Sequence, residues 1–81
     1  MLSSELVGEV LADMRKKKGV SQEVLSGLAG IARTHLSMIE NGKRKPTLET
    51  FYKICTSLGV SPSEAMREIE TRVRLSDNEN L

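Results

Sequence analysis

Tryptophan is absent, and Phe51 and Tyr52 are the chain's only aromatic residues, so any core must be built almost wholly from aliphatic side chains. Histidine and cysteine occur once each, at His35 and Cys55. That excludes an internal disulfide and a metal-ligand cluster, and no cofactor is expected. Cys55 reads as a small core residue, with a redox-sensing thiol as the alternative. No apolar run is long enough to span a membrane. The first ten residues, MLSSELVGEV, lack the basic region and long apolar segment of a signal peptide, which places the protein in the cytoplasm. No paired-carboxylate cleft, nucleophile–base constellation or phosphate-cradling loop is implied, and no small-molecule ligand is evident. With 81 residues forming one modest domain, the chain is not expected to be an enzyme, and a partner subunit would add useful burial.

The charge that is present is unevenly placed. Residues 15–53 carry nine Lys or Arg against Glu23, Glu40 and Glu49, whereas the flanking segments are both net acidic, leaving +1 overall. A polyanion would be drawn to the middle of the chain.

Helical punctuation accounts for most of the sequence. Ser3 or Ser4 can cap a first helix carrying Leu6, Val7, Val10, Leu11 and Met14 along one stripe. It should end near Lys18, where Gly19 suits the C-terminal turn and Arg15–Lys18 suit the negative end of the dipole. Ser21 caps a second helix in which Val24, Leu25 and Leu28 are expected to face inward, and Gly30 ends it. A third helix spans about Ala32 to Glu40. Thr47 caps a fourth that carries Leu48, Phe51, Tyr52, Cys55 and Leu58. The stretch SPSE, Ser61 to Glu64, combines an N-cap, a proline at the first helical position and a capping-box glutamate. The fifth helix bears Ala65, Met66, Ile69 and Val73 on one face. With no strand signal, the fold class is all-α, five short helices in one domain over residues 1–75, followed by a disordered tail at 76–81.

The third helix looks built to meet another surface. At about 100° per residue, Leu36 and Ile39 fix its buried side, and Thr34, Ser37 and Met38 point the other way. Arg33 lies to one side near the N-terminal end, and His35 and Glu40 border the buried stripe. Short polar residues on an outward face permit close approach. The preceding helix is joined to it through a tight turn at Gly30–Ile31, an arrangement that can set the second of two helices in the DNA major groove. Gln22 would then present its amide and a helix N-terminus to a phosphate, and Lys43, Arg44 and Lys45 would displace counterions.

Taken together, Met14 to Glu64 resembles the Xre-type helix-turn-helix domain of lambdoid phage repressors, Cro-like proteins and restriction–modification controller proteins. The resemblance rests on a spaced series: Arg15, Gly19, Ser21-Gln22, Leu25, Ala29-Gly30, Leu36-Ser37, Ile39-Glu40, Asn41-Gly42, Pro46, Leu48, Ile54 and Leu58-Gly59-Val60. It implies a lambda-repressor-like fold, with the helix-turn-helix proper at about 21–40. It also implies base-reading roles for Arg33, Thr34 and Met38, with Ser37 and His35 beside them. Phosphate contacts would come from Gln22, Asn41, Lys43 and Lys45, and Arg44 joins them in the basic loop. Arg15 and Glu40 would form an internal ion pair, and Gln22 would help orient the recognition helix. Two positions depart from the family pattern. Ala32 cannot cap the recognition helix, at a cost of roughly 1 kcal/mol, and Met38 can contact a thymine methyl but cannot make a bidentate hydrogen bond.

The expected activity is that of a sequence-specific transcriptional regulator binding double-stranded DNA at a palindromic operator. A homodimer is expected, with Met66, Ile69 and Val73 at its interface. The alternative is the DNA-binding antitoxin of a toxin–antitoxin pair.

Overall fold

Ser3, Ser21 and Thr47 each close the open N-terminal end of a helix. Their hydroxyls accept from the backbone N–H groups of Leu6, Val24 and Thr50 at 3.0–3.1 Å, satisfying donors that have no partner inside the helix. The computed structural model describes residues 2–79, with side chains to residue 77. It contains α1 (Ser4–Lys17), α2 (Gln22–Ala29), α3 (Arg33–Glu40), α4 (Leu48–Ser57) and α5 (Pro62–Glu79). There is no strand among the described residues.

Gly30 sets the reversal between α2 and α3. It adopts φ 69°, ψ 33°, and the Ile31 N–H then reaches back to the Ser26 carbonyl at 3.0 Å. That left-handed conformation strains any residue with a Cβ. At α5 the expected capping box does not close, since Ser61 Oγ lies 2.7 Å from Ser63 Oγ instead. The helix also runs through residues 76–79, where a disordered tail was expected. Propagation adds one hydrogen bond for each residue fixed, so a polar segment can continue a helix already nucleated by packing. Asn80 and Leu81 of that expected tail lie outside the described residues.

One core joins all five helices. Val10 and Leu11 of α1, Leu25 of α2, Leu36 and Ile39 of α3, Ile54 and Cys55 of α4, and Ala65 and Ile69 of α5 are fully buried. α1 packs on α3 and α5, α2 on α3 and α4, and α4 on α5. Burial pushes the Cys55 thiol up to about 11, so it is a neutral core side chain at physiological pH.

The expected inward stripe of α2 is corrected, and that of α4 is resolved. On α2, Leu25 and Ala29 face the core, whereas Val24 and Leu28 are 53% and 63% exposed. Both pairs are one helical turn apart and differ only by rotation; the row containing the small Ala29 allows the neighbouring helices to approach closely. On α4, Phe51, Ile54, Cys55 and Leu58 are buried, but Leu48 and Tyr52 are exposed.

An ion cluster fastens α5 to α1. Arg72 donates through Nη1 to Asp13 Oδ2 at 2.9 Å and Glu9 Oε1 at 3.2 Å, and through Nε to Glu68 Oε1 at 3.1 Å. It holds α5 along α1.

Candidate nucleic-acid interface

The outer face of α3 follows from the azimuths of Leu36 and Ile39, which are wholly buried. Thr34 and Met38 project from the opposite side, Arg33 is exposed at the first turn, and Ser37 is half-buried. These four line one shallow concavity. His35 is half-buried at the border. Asn41, the C-terminal cap, donates through Nδ2 to Ser37 Oγ at 3.3 Å, which leaves the Ser37 hydroxyl hydrogen free for an outside acceptor.

Lys43 begins the basic loop, and its backbone N–H binds the Met38 carbonyl at 2.9 Å. The loop is thereby held against the end of α3. Lys43, Arg44 and Lys45 are exposed, and none of them, nor Arg33, forms an ion pair among the described residues. Arg33 also borders a second shallow depression, shared with Arg15, Ser21, Gln22 and Glu23. It therefore connects the outer face of α3 to the start of α2.

Behind this surface lies a part-buried network. Arg15 Nε donates to Glu40 Oε2 at 2.7 Å and Nη2 to Oε1 at 2.9 Å, and Nη1 donates to the Val20 carbonyl at 2.8 Å. The Glu40 hydrogen bonds raise the Arg15 pKa against the opposing effect of burial. Gln22 Nε2 donates to Glu40 Oε1 at 2.9 Å. One carboxylate thus gathers the end of α1, the start of α2 and the end of α3. The Gln22–Glu40 bond is not foreseen by the sequence reading, because no periodicity links residues in separate helices. Gln22 keeps one amide hydrogen for an outside acceptor.

Ala32 stands at the N-cap of α3 with φ −67°, ψ 142° and makes no side-chain cap bond. Its backbone already has the extended geometry of a cap. Ala32→Ser is therefore expected to stabilise the chain by about 1 kcal/mol, read as a rise of about 4–8 °C in Tm. An unchanged Tm would show that solvent satisfies those N–H groups as well as a hydroxyl does.

The expected dimer residues separate. Met66 is partly exposed and Val73 is half-buried against the core. Ile69 has no accessible surface, so it is removed from the interface set: α5 spends that position on packing against its own chain. Among the described residues, no group of three or more His, Cys, Asp or Glu could hold a metal, and no helix is long and apolar enough to cross a membrane.

A helix-turn-helix family model, HTH_3, matches residues 11–64, a span containing the α2–turn–α3 unit and its network. The chain belongs to the helix-turn-helix family. It is 40% identical over 60 residues to the HTH-type transcriptional regulator y4dJ of Sinorhizobium fredii, covering 74% of this chain and 78% of that protein. It is 41% identical over 64 residues to the control protein C.MunI of a Mycoplasma species, covering 78% and 86%. The clp gene regulator ClgR from Corynebacterium glutamicum has a similar solved structure, with a TM-score of 0.89 and 25% identity over 99% of this chain and 84% of that one. The Xre-type resemblance is thus borne out for family and fold, and these relatives are named as regulators rather than enzymes.

Proposed function

We propose that the protein is a sequence-specific, cytoplasmic transcriptional regulator that binds a palindromic DNA operator as a homodimer, with α3 in the major groove. One observation carries this: a helix face of Arg33, Thr34, Ser37 and Met38 opposite the buried Leu36 shares its end with an unpaired basic loop and is braced from behind through Glu40. That combination separates base reading from backbone positioning. Arg33 is suited to guanine O6 and N7, and Met38 to a thymine methyl. Gln22, Asn41, Lys43, Arg44 and Lys45 are suited to phosphate. Half-sites would lie about one helical turn, roughly 34 Å, apart. The control-protein and regulator names of the relatives support the same activity.

Arg33→Ala is expected to cost about 1–3 kcal/mol on the best site and relax one base preference. Lys43→Ala is expected to weaken all sequences alike and lower the salt slope by about 1. Selection from random duplex DNA, followed by titration at two salt concentrations, tests the whole proposal. A palindromic winner bound at least about 10³-fold more tightly than a scrambled duplex supports it. If nothing is enriched and both duplexes bind equally, specific regulation is wrong.

A further inference from the structure

The concavity on the outer face of α3 is lined by Arg33, Thr34, Ser37 and Met38. None of these is a carboxylate or a carboxamide, so the face holds no side chain that selects cytosine through its N4 amino group or adenine through N6 and N7. Arg33 only donates, and suits guanine. The hydroxyls of Thr34 and Ser37 both donate and accept, and the Asn41 amide occupies only one lone pair of Ser37 Oγ. They can meet thymine O4 or cytosine N4, and so do not tell the two pyrimidines apart. What can do so is carbon. The accessible lining of the concavity is mostly apolar, and Met38, an unbranched and adaptable side chain, keeps 39% of its surface exposed within it.

This apolar patch is set among cations. Arg33 flanks it, and the backbone N–H of Lys43, first residue of the unpaired basic loop, binds the Met38 carbonyl at 2.9 Å. The charge favours a polyanion that carries a small apolar group over an apolar protein surface. In the major groove that group is the C5-methyl of thymine, and 5-methylcytosine carries the same methyl at the same ring position. We propose that the α3 concavity reads the pyrimidine C5-methyl group itself, so that 5-methylcytosine takes the place of thymine in the binding site and unmodified cytosine does not. This rests on the operator reading of the preceding section and deepens it, because it makes occupancy depend on cytosine methylation.

Selection from random duplex DNA supplies the sequence, and titration of the full chain against altered versions of it tests the inference. Each thymine of a half-site is first replaced by deoxyuridine, which removes the methyl and nothing else. Where that replacement weakens binding, the pair is varied as thymine–adenine, uracil–adenine, 5-methylcytosine–guanine and cytosine–guanine. The two methylated pairs are expected to bind alike, and about 4-fold more tightly per altered half-site than the two unmethylated ones, the factor that corresponds to about 0.8 kcal/mol for one buried methyl. Met38→Ala should bring that ratio down to about 1. Lys43→Ala should weaken all four duplexes by one common factor and keep the ratio. Both side chains reach the surface, and urea unfolding checks that both variants remain folded. A half-site in which no uracil matters, a 5-methylcytosine pair bound no better than cytosine, or a folded Met38→Ala chain that keeps the full ratio overturns the inference and leaves the operator reading standing. If selection enriches nothing, the operator reading falls and the inference falls with it.

Discussion

Replacing Glu40 with alanine is expected to remove about 3–5 kcal/mol of folding stability, the usual cost of leaving one partner of a buried ion pair unmatched. Only 12% of the Arg15 side chain and 4% of the Glu40 side chain is accessible, so water cannot readily replace the lost carboxylate. The guanidinium would retain one bond, to the Val20 carbonyl, and would lose both to Glu40. Gln22 would also be released. Against a total of about 5–15 kcal/mol for a natural domain, the loss is large. Urea unfolding without DNA measures it directly. Glu40→Gln retains an oxygen that can accept from Arg15 or Gln22 but loses the charge, so it should fall between alanine and the wild type. A loss below about 1 kcal/mol for Glu40→Ala would instead mean that the pair behaves as a solvent-screened surface contact. DNA affinity should decline alongside stability, because the carboxylate fixes the end of α3 relative to α1 and α2.

The parts of this fold legible in the sequence are those controlled within a few residues. Ser3, Ser21 and Thr47 mark helix starts because a cap acts on an N–H group three residues away, and Gly30 marks a turn because its backbone conformation is local. The outer face of α3 was legible because Leu36 and Ile39 define one azimuth in a short helix and the opposite side follows by geometry. Decisions between helices were not legible from local pattern, and the Arg15–Glu40 pair was expected only through the family resemblance. Leu25 was placed inward correctly, but whether Val24 and Leu28 or Ala29 joined it depended on how closely neighbouring helices could pack. The same limit explains Ile69: one amphipathic stripe on α5 cannot reveal whether its apolar residues meet the chain's own core or a partner. The exposure of Leu48 was not legible either, because azimuth is available from sequence whereas cover at the end of a helix is not. Gln22 was placed near a phosphate and expected through the resemblance to help orient the third helix, but its bond to Glu40 required knowledge of how residues 18 positions apart meet.

Gly8 illustrates that limit most sharply and leads to the other large expected effect. In the sequence it is an unremarked glycine in the middle of α1, where it weakens helix propensity relative to alanine by about 1 kcal/mol. On propensity alone, Gly8→Ala should stabilise the chain. In the fold, a Cβ at this position would lie 2.1 Å from the Ile39 carbonyl oxygen and 2.9 Å from that of Glu40. Both atoms are backbone, at the end of the recognition helix, and neither can rotate away. α1 and α3 would have to separate, disturbing the packing of Val10, Leu11, Leu36 and Ile39 as well as the Arg15–Glu40 geometry. Gly8→Ala is therefore expected to reverse the propensity gain and destabilise the chain by about 3 kcal/mol, the upper part of the usual range for overpacking. If α3 enters the major groove as proposed, its displacement should also weaken duplex binding, even though residue 8 lies on α1. Thermal unfolding and duplex titration of the same variant check both effects. A variant at least as stable as the wild type would show that the two helices can part without cost, and would remove close backbone approach from the account of how α3 is held.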